Sequence, residues 1–151
     1  MSGNSIREQI LLAVMAVVRT PVESLGATLH RSPTVAISRE QCPALVVFPE
    51  SESITERAND RVTRELIVRF VALARAVPPA IPETEADRLL TAAHAALLAD
   101  RNLGGLSLGI REQDCEWDVE DADAAAAAIP ARYAITYRTP DPDLSAKGLP
   151  P

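Results

Sequence analysis

Residues 62–75, Val-Thr-Arg-Glu-Leu-Ile-Val-Arg-Phe-Val-Ala-Leu-Ala-Arg, carry the alternation that decides the fold. Side chains on a strand point to opposite faces with period two. Val62, Leu66, Val68, Phe70 and Ala72 therefore share one face, and Thr63, Glu65, Arg69 and Arg75 share the other. Ile67, Val71 and Leu73 interrupt the polar face, where a solvated antiparallel strand would alternate cleanly. The second face is thus expected to be part-covered, by the chain's own helices or by a neighbouring subunit.

On the N-terminal side, Ser5 and Glu8 form the S-x-x-E pattern of a capping box. Ile6, Ile10, Ala13 or Val14, and Val17 follow at helical spacing, which predicts a helix over residues 5–18, ended by Thr20-Pro21. Residues 24–31 are weakly strand-like. Pro43-Ala-Leu-Val-Val-Phe-Pro49 is an apolar run between prolines and reads as a strand. Glu50 to Asp60 lacks apolar periodicity, which leaves a loop or a projecting hairpin arm.

On the C-terminal side, Val77 to Pro82 reads as a rigid linker. Thr84 and Asp87 open a second helix with Leu89, Leu90, Ala93 and Leu97 on one stripe, ending near Asp100. Gly104-Gly105 turns the chain into an alternation of Leu106, Leu108 and Ile110. Glu112, Asp114, Glu116, Asp118 and Glu120 then occupy every second position, with Cys115, Trp117 and Val119 between them. That pattern predicts a strand with one buried face and one carboxylate face. The apolar phase is even before residue 111 and odd from Cys115, so a bulge or turn is expected near 111–114. A last strand is expected over 126–139, reached through a turn near 120–123.

Helices interspersed with hairpin-joined strands imply an α+β fold, a mostly antiparallel β-sheet with two amphipathic helices packed on one face. A single domain over 1–151 is expected, with residues 1–4 and 140–151 flexible. Hydrophobic residues make up 47% of the 151-residue chain but aromatics only 3%, so the core is aliphatic. The formal net charge of −6, with Lys147 the lone lysine, argues against general affinity for nucleic-acid phosphates. Ile10–Val18 is too short for a membrane span. Cys42 and Cys115 are isolated and read as buried or bystander thiols.

Catalytic and cofactor chemistry finds few parts. His30 and His94 lack a second ligand at metal spacing. Carboxylates two apart on a strand point in parallel and do not converge on one calcium ion. A glycosidase needs two facing acids and aromatic subsites. The two histidines lack an obvious nucleophile partner, and a phosphate-binding glycine loop is absent. No catalytic, cofactor-binding or metal residue is assigned. The acidic ladder keeps two readings: a solvated face part-neutralised by Arg132 and Arg138 across a hairpin, or a negative face at a subunit interface or channel wall.

Four stretches in order resemble a known family: Ser-Ile-Arg-Glu-Gln-Ile-Leu (5–11), Pro-Ala-Leu-Val-Val-Phe-Pro-Glu (43–50), Ala-Asp-Arg-Leu-Leu-Thr-Ala-Ala-His-Ala-Ala-Leu-Leu-Ala-Asp with Leu-Gly-Gly (86–105), and Ala-Arg-Tyr-Ala-Ile-Thr-Tyr-Arg-Thr (131–139). Together they resemble the tail terminator (tail completion) proteins of long-tailed bacteriophages and prophages, the minor tail protein U class. The resemblance implies a non-enzymatic subunit of a hexameric ring on the head-proximal end of the tail tube. Such a ring stops tube polymerisation and offers the surface that joins the head. The implied partners are further copies of the chain, the tail tube protein and neck or head–tail connector proteins. DNA would pass through without specific binding, and no membrane is involved. The implied location is the virion tail, and the host cytoplasm during assembly. Glu50, Glu52, Glu56, Arg57, Arg61, Arg69 and Arg75 are the candidate ring contacts, and Glu112, Asp114, Glu116, Asp118 and Glu120 the candidate lumen face. Another neck protein (head closure or tail-to-head joining) and a small α+β binding module are the competing readings.

Overall fold

The computed structural model describes residues 3–77, 79–117 and 126–148. Among them the chain forms helix α1 (Ile6–Ser24), strand β1 (Thr28–Arg31), strands β2 (Ala44–Ala58) and β3 (Arg61–Arg75), helix α2 (Pro82–Leu98), and strands β4 (Gly109–Cys115) and β5 (Ala126–Pro140). The five strands make one sheet in the order β1-β2-β3-β5-β4, so β3 is central. β1 runs parallel to β2, and the other neighbours are antiparallel. The expected α+β class, with a mostly antiparallel sheet and two helices, is what the chain adopts.

Both helices pack on one face of the sheet. Ile10, Val14, Val18 and Val22 of α1 and Ala86, Leu89, Ala93 and Leu97 of α2 meet Leu66, Val68, Phe70 and Ala72 of β3. Ile129, Ala131, Tyr133, Ile135 and Tyr137 of β5 complete the core from the same side. The predicted apolar face of 62–75 is therefore the helix face.

The Ser5 hydroxyl accepts the Glu8 amide at 3.0 Å, as the capping motif requires. Helix α1 does not stop at Thr20-Pro21 but runs on to Ser24 with Pro21 inside it. Pro21 removes one helical hydrogen bond, yet Val18 and Val22 on either side are both wholly buried. Burial of those two valines, roughly 1.5–3 kcal/mol each, outweighs the lost bond. Helix α2 begins two residues before the expected Thr84, because Pro82 occupies the first turn, where its missing N–H costs nothing.

The polar stretch 50–58 is the hairpin arm rather than the loop. It continues β2, and a two-residue turn at Asn59-Asp60 returns the chain into β3. Both turn residues have positive φ, 52° and 65°, which Asn and Asp tolerate and a type I′ hairpin demands. β5 pairs with β3 all the way to this tip, through Arg61 and Pro140, so the projection is three strands wide.

Strand β5 matches the predicted 126–139 closely. Pro130 fits because its carbonyl accepts the Glu116 amide at 3.1 Å, on the side where the β4 ladder ends, so the absent N–H breaks no pairing. β4 is shorter than the sequence suggested. Leu108 and Trp117 lie outside it and are each 54% exposed, so the expectation of a buried Trp117 is corrected. The strand loses its partner β5 beyond Cys115, and nothing then enforces alternation. The expected Glu120–Asp123 turn lies outside the described residues.

Residues 141–148, expected to be flexible, fold back on the body. Leu144 accepts the Ile6 amide at 2.8 Å, and the Gly148 amide donates to the Arg138 carbonyl at 2.9 Å.

Candidate interface site

With both helices on one side, the opposite sheet face carries no helix among the described residues. Register places Val46 beside Val71, Ile67 beside Ala134, and Val71 beside Pro130 on that face. Val46, Ile67 and Ala134 are buried even so, at 7%, 9% and 1% exposure.

At the centre of this face, register sets Arg69 directly opposite Arg132. Two adjacent guanidinium groups repel unless carboxylates intervene. Glu50 supplies one, 2.7 Å from Arg132 Nε and 3.6 Å from Arg69 Nη1. Asp114 supplies another, 3.1 Å from Arg132 Nη1. The Arg132 guanidinium is held more strongly protonated, chiefly by the Glu50 hydrogen bond and then by Asp114. Arg69 also lies over the Phe48 ring, 5.8 Å from its centroid, while its Nε is buried with no partner among the described residues. Nearby, Arg111 reaches Glu65 at 3.1 Å.

The acidic ladder divides here. A register shift between Glu112 and Asp114 puts a bulge at Gln113, within the predicted 111–114 window. Glu112 consequently pairs with Tyr133, whose ring is on the helix face, whereas Asp114 pairs with Arg132 on the open face. One carboxylate face is therefore corrected to two, because a bulge adds a residue and inverts the alternation. Glu116 follows the end of β4 and is exposed, and Asp118 and Glu120 lie outside the described residues. The Cys115 thiol is pushed up by burial, then by the charges of Glu112, Asp114 and Asp87. Of the two arginines expected to oppose carboxylates across the hairpin, Arg132 does so. Arg138 instead donates from Nε to Thr63 Oγ1 at 3.1 Å.

The other candidate contact residues separate into distinct places. Glu50 and Arg69 belong to the cluster above. Glu52 lies on the helix face, where its carboxylate takes Arg7 at 2.7 Å, Arg64 at 3.6 Å and the Tyr137 hydroxyl. Its side chain is 15% exposed, so it ties the projecting strands to α1 and β5. Burial and this carboxylate both push the Tyr137 phenol well above its ordinary value. Glu56, Arg57 and Arg61 sit at the hairpin tip, where Arg57 meets Asp141 at 3.1 Å. Arg61 lines a cleft of about 190 Å³ with Glu56, Asn59, Thr63 and Arg138. Arg75 closes the far end of β3, opposite Ala126.

A shift in register between Pro49 and Ser51 gives Glu50 its place. No glycine or apolar alternation marks this bulge, so the role of Glu50 was not readable from spacing. Arg64 and Tyr137 were likewise missed as partners of Glu52. The faint signal is two arginines, at 7 and 64, on elements that have few other reasons to bury charge.

His94 Nδ1 lies 2.8 Å from the Tyr133 hydroxyl, and His30 Nε2 lies 2.8 Å from Thr28 Oγ1. Among the described residues no group of three or more His, Cys, Asp or Glu is placed to hold a metal ion. No described helix is long and apolar enough to cross a membrane.

No family model matches the chain, and no curated protein matches it. Among solved structures, it is similar to a chain of the virion of a native gene transfer agent particle. The two share 12% identity at a TM-score of 0.45, over 87% of this chain and 90% of that one.

Proposed function

We propose that the protein is a non-enzymatic phage or prophage tail assembly subunit. It forms a ring on the head-proximal end of the tail tube, terminates tube polymerisation and presents the surface that joins the head. The observation that carries this reading is the helix-free sheet face, with an apolar middle and a charge cluster at its centre. A lone antiparallel sheet facing water is normally polar on its open side. Here Val46, Ile67 and Ala134 are buried beside the part-exposed charge cluster of Glu50, Arg69, Asp114 and Arg132, and arginine-rich surface over apolar residues has the composition of a protein–protein interface. The ordered resemblance to tail terminators supplies the class of partner.

A ring needs two different patches per subunit that meet by rotation. The open face with Glu50 and Arg69 is one source, and the hairpin tip with Glu56, Arg57 and Arg61 is another. Arg61 and Arg75 stand at opposite ends of a 15-residue strand, roughly 45 Å apart at strand rise, so both cannot serve one small contact. Glu112 and Glu116 are the described carboxylates left to face a lumen, where negative charge would repel DNA and prevent counterion-release binding. Asp114 is already matched by Arg132.

Native mass spectrometry of the purified chain, with electron microscopy of tails made without it, tests the reading. A closed oligomer in the first and overlong, headless tubes in the second are expected. A chain that stays monomeric at high concentration, together with normal tails in its absence, would sink it.

A further inference from the structure

Residues 141–148 leave β5 through exposed turns at 141–142 and 144–145, with Asp141 tied to the Asp60 carbonyl and to Arg57, and then reach back over the body as a strap. It is anchored at its two ends. The Leu144 carbonyl takes the Ile6 amide at the start of α1, and the Gly148 amide meets the Arg138 carbonyl on the edge of β5 beyond β4. Between these points, residues 144, 145 and 147 are exposed.

The Gly148 anchor is selective. A Cβ added there would stand 2.8 and 2.9 Å from the Thr139 backbone and 3.0 Å from Arg138 Cγ. Backbone at that distance does not give way, so the slot admits glycine and excludes every other residue. Whatever lies on this edge must present glycine at this point, which a generic strand does not.

We propose that the strap is exchanged between neighbouring copies, so that residues 144–148 of one subunit occupy α1 and β5 of the next. This rests on the ring reading above and specifies how its subunits are tied. An exchanged strap makes the same end contacts in trans as in cis, so the turns over 141–146, with the Ser145–Asp143 bonds, are what has to open. Each copy gives one strap and receives one, which is a head-to-tail contact that closes by rotation.

Gly148→Val tests this in the full chain, because it bars the strap from its slot while leaving the slot itself intact. Expected is a loss of self-association of about tenfold or more in midpoint concentration, equivalent to about 1.4 kcal/mol. The circular dichroism melt should remain that of a folded protein. Mixed with wild type, the variant should still accept a strap and appear as a mixed species by native mass spectrometry. A chain ending at Asp143 removes the strap without overpacking and should behave alike if the valine variant does not fold. Association equal to or tighter than wild type would overturn the exchange, since the strap would then be a cover in cis. That result would leave the ring standing, whereas a wild-type chain that never associates would remove both.

Discussion

Glu52 is the residue on which the projecting strands depend. It is largely withdrawn from water, and two arginines and a phenol donate to it. Removing one partner of such a group leaves the others uncompensated, at about 2–4 kcal/mol. Glu52→Ala is expected to lower unfolding free energy by that order in urea titration. A change within error of zero would mean the cluster contributes no net stability. Glu8 is a milder case. Its carboxyl is held below the ordinary 4.5, first by the Arg31 hydrogen bond, with burial opposing. A depressed folded-state pKa gives stability that is present above the unfolded value and lost as pH falls through the folded one. The loss should therefore fall below about pH 4.5. With the pair about one-third exposed, screening limits it to about 0.5 kcal/mol. Arg31→Ala should return the Glu8 titration, read by NMR, to the ordinary value; an unmoved midpoint would refute the assignment.

Elements show where local rules yielded to packing. Pro21 should end α1, and the helix passes through it because Val18 and Val22 are both drawn into the core. Pro21→Ala restores the missing hydrogen bond on a part-exposed face, so a gain of about 1–3 kcal/mol is expected by chemical denaturation. A loss would show that the local bend is needed for packing. In β2, residues 50–58 looked like a loop since their alternation is broken by two register shifts. The helix face of that stretch uses Glu52 where an apolar residue would have made the strand legible. In β4 the reverse holds: the change of apolar phase announced the bulge, and the bulge then divided the carboxylates that its own alternation had grouped.

For the whole molecule, the sheet face opposite the helices is where the proposed assembly contact can be separated from stability. Arg69 leaves its Nε without a partner and its carboxylate contact long, so it contributes little to folding. Arg69→Glu with Arg75→Glu is expected to leave the melting temperature within a few degrees of wild type, while oligomer formation drops severalfold in light scattering. Normal assembly by a folded double variant would remove this face from the interface.

The sequence by itself determined the class of the fold, the helix face of β3, the extent of β5 and the need for a bulge before Cys115. Each is a matter of apolar period, and period is local. Only the tertiary structure decided which charges meet. Glu50 with Arg132 and Glu52 with Tyr137 join residues distant along the chain through sheet register. That register depends on the two β2 bulges, whose positions no residue type announced, and a single added residue turns every later side chain to the other face.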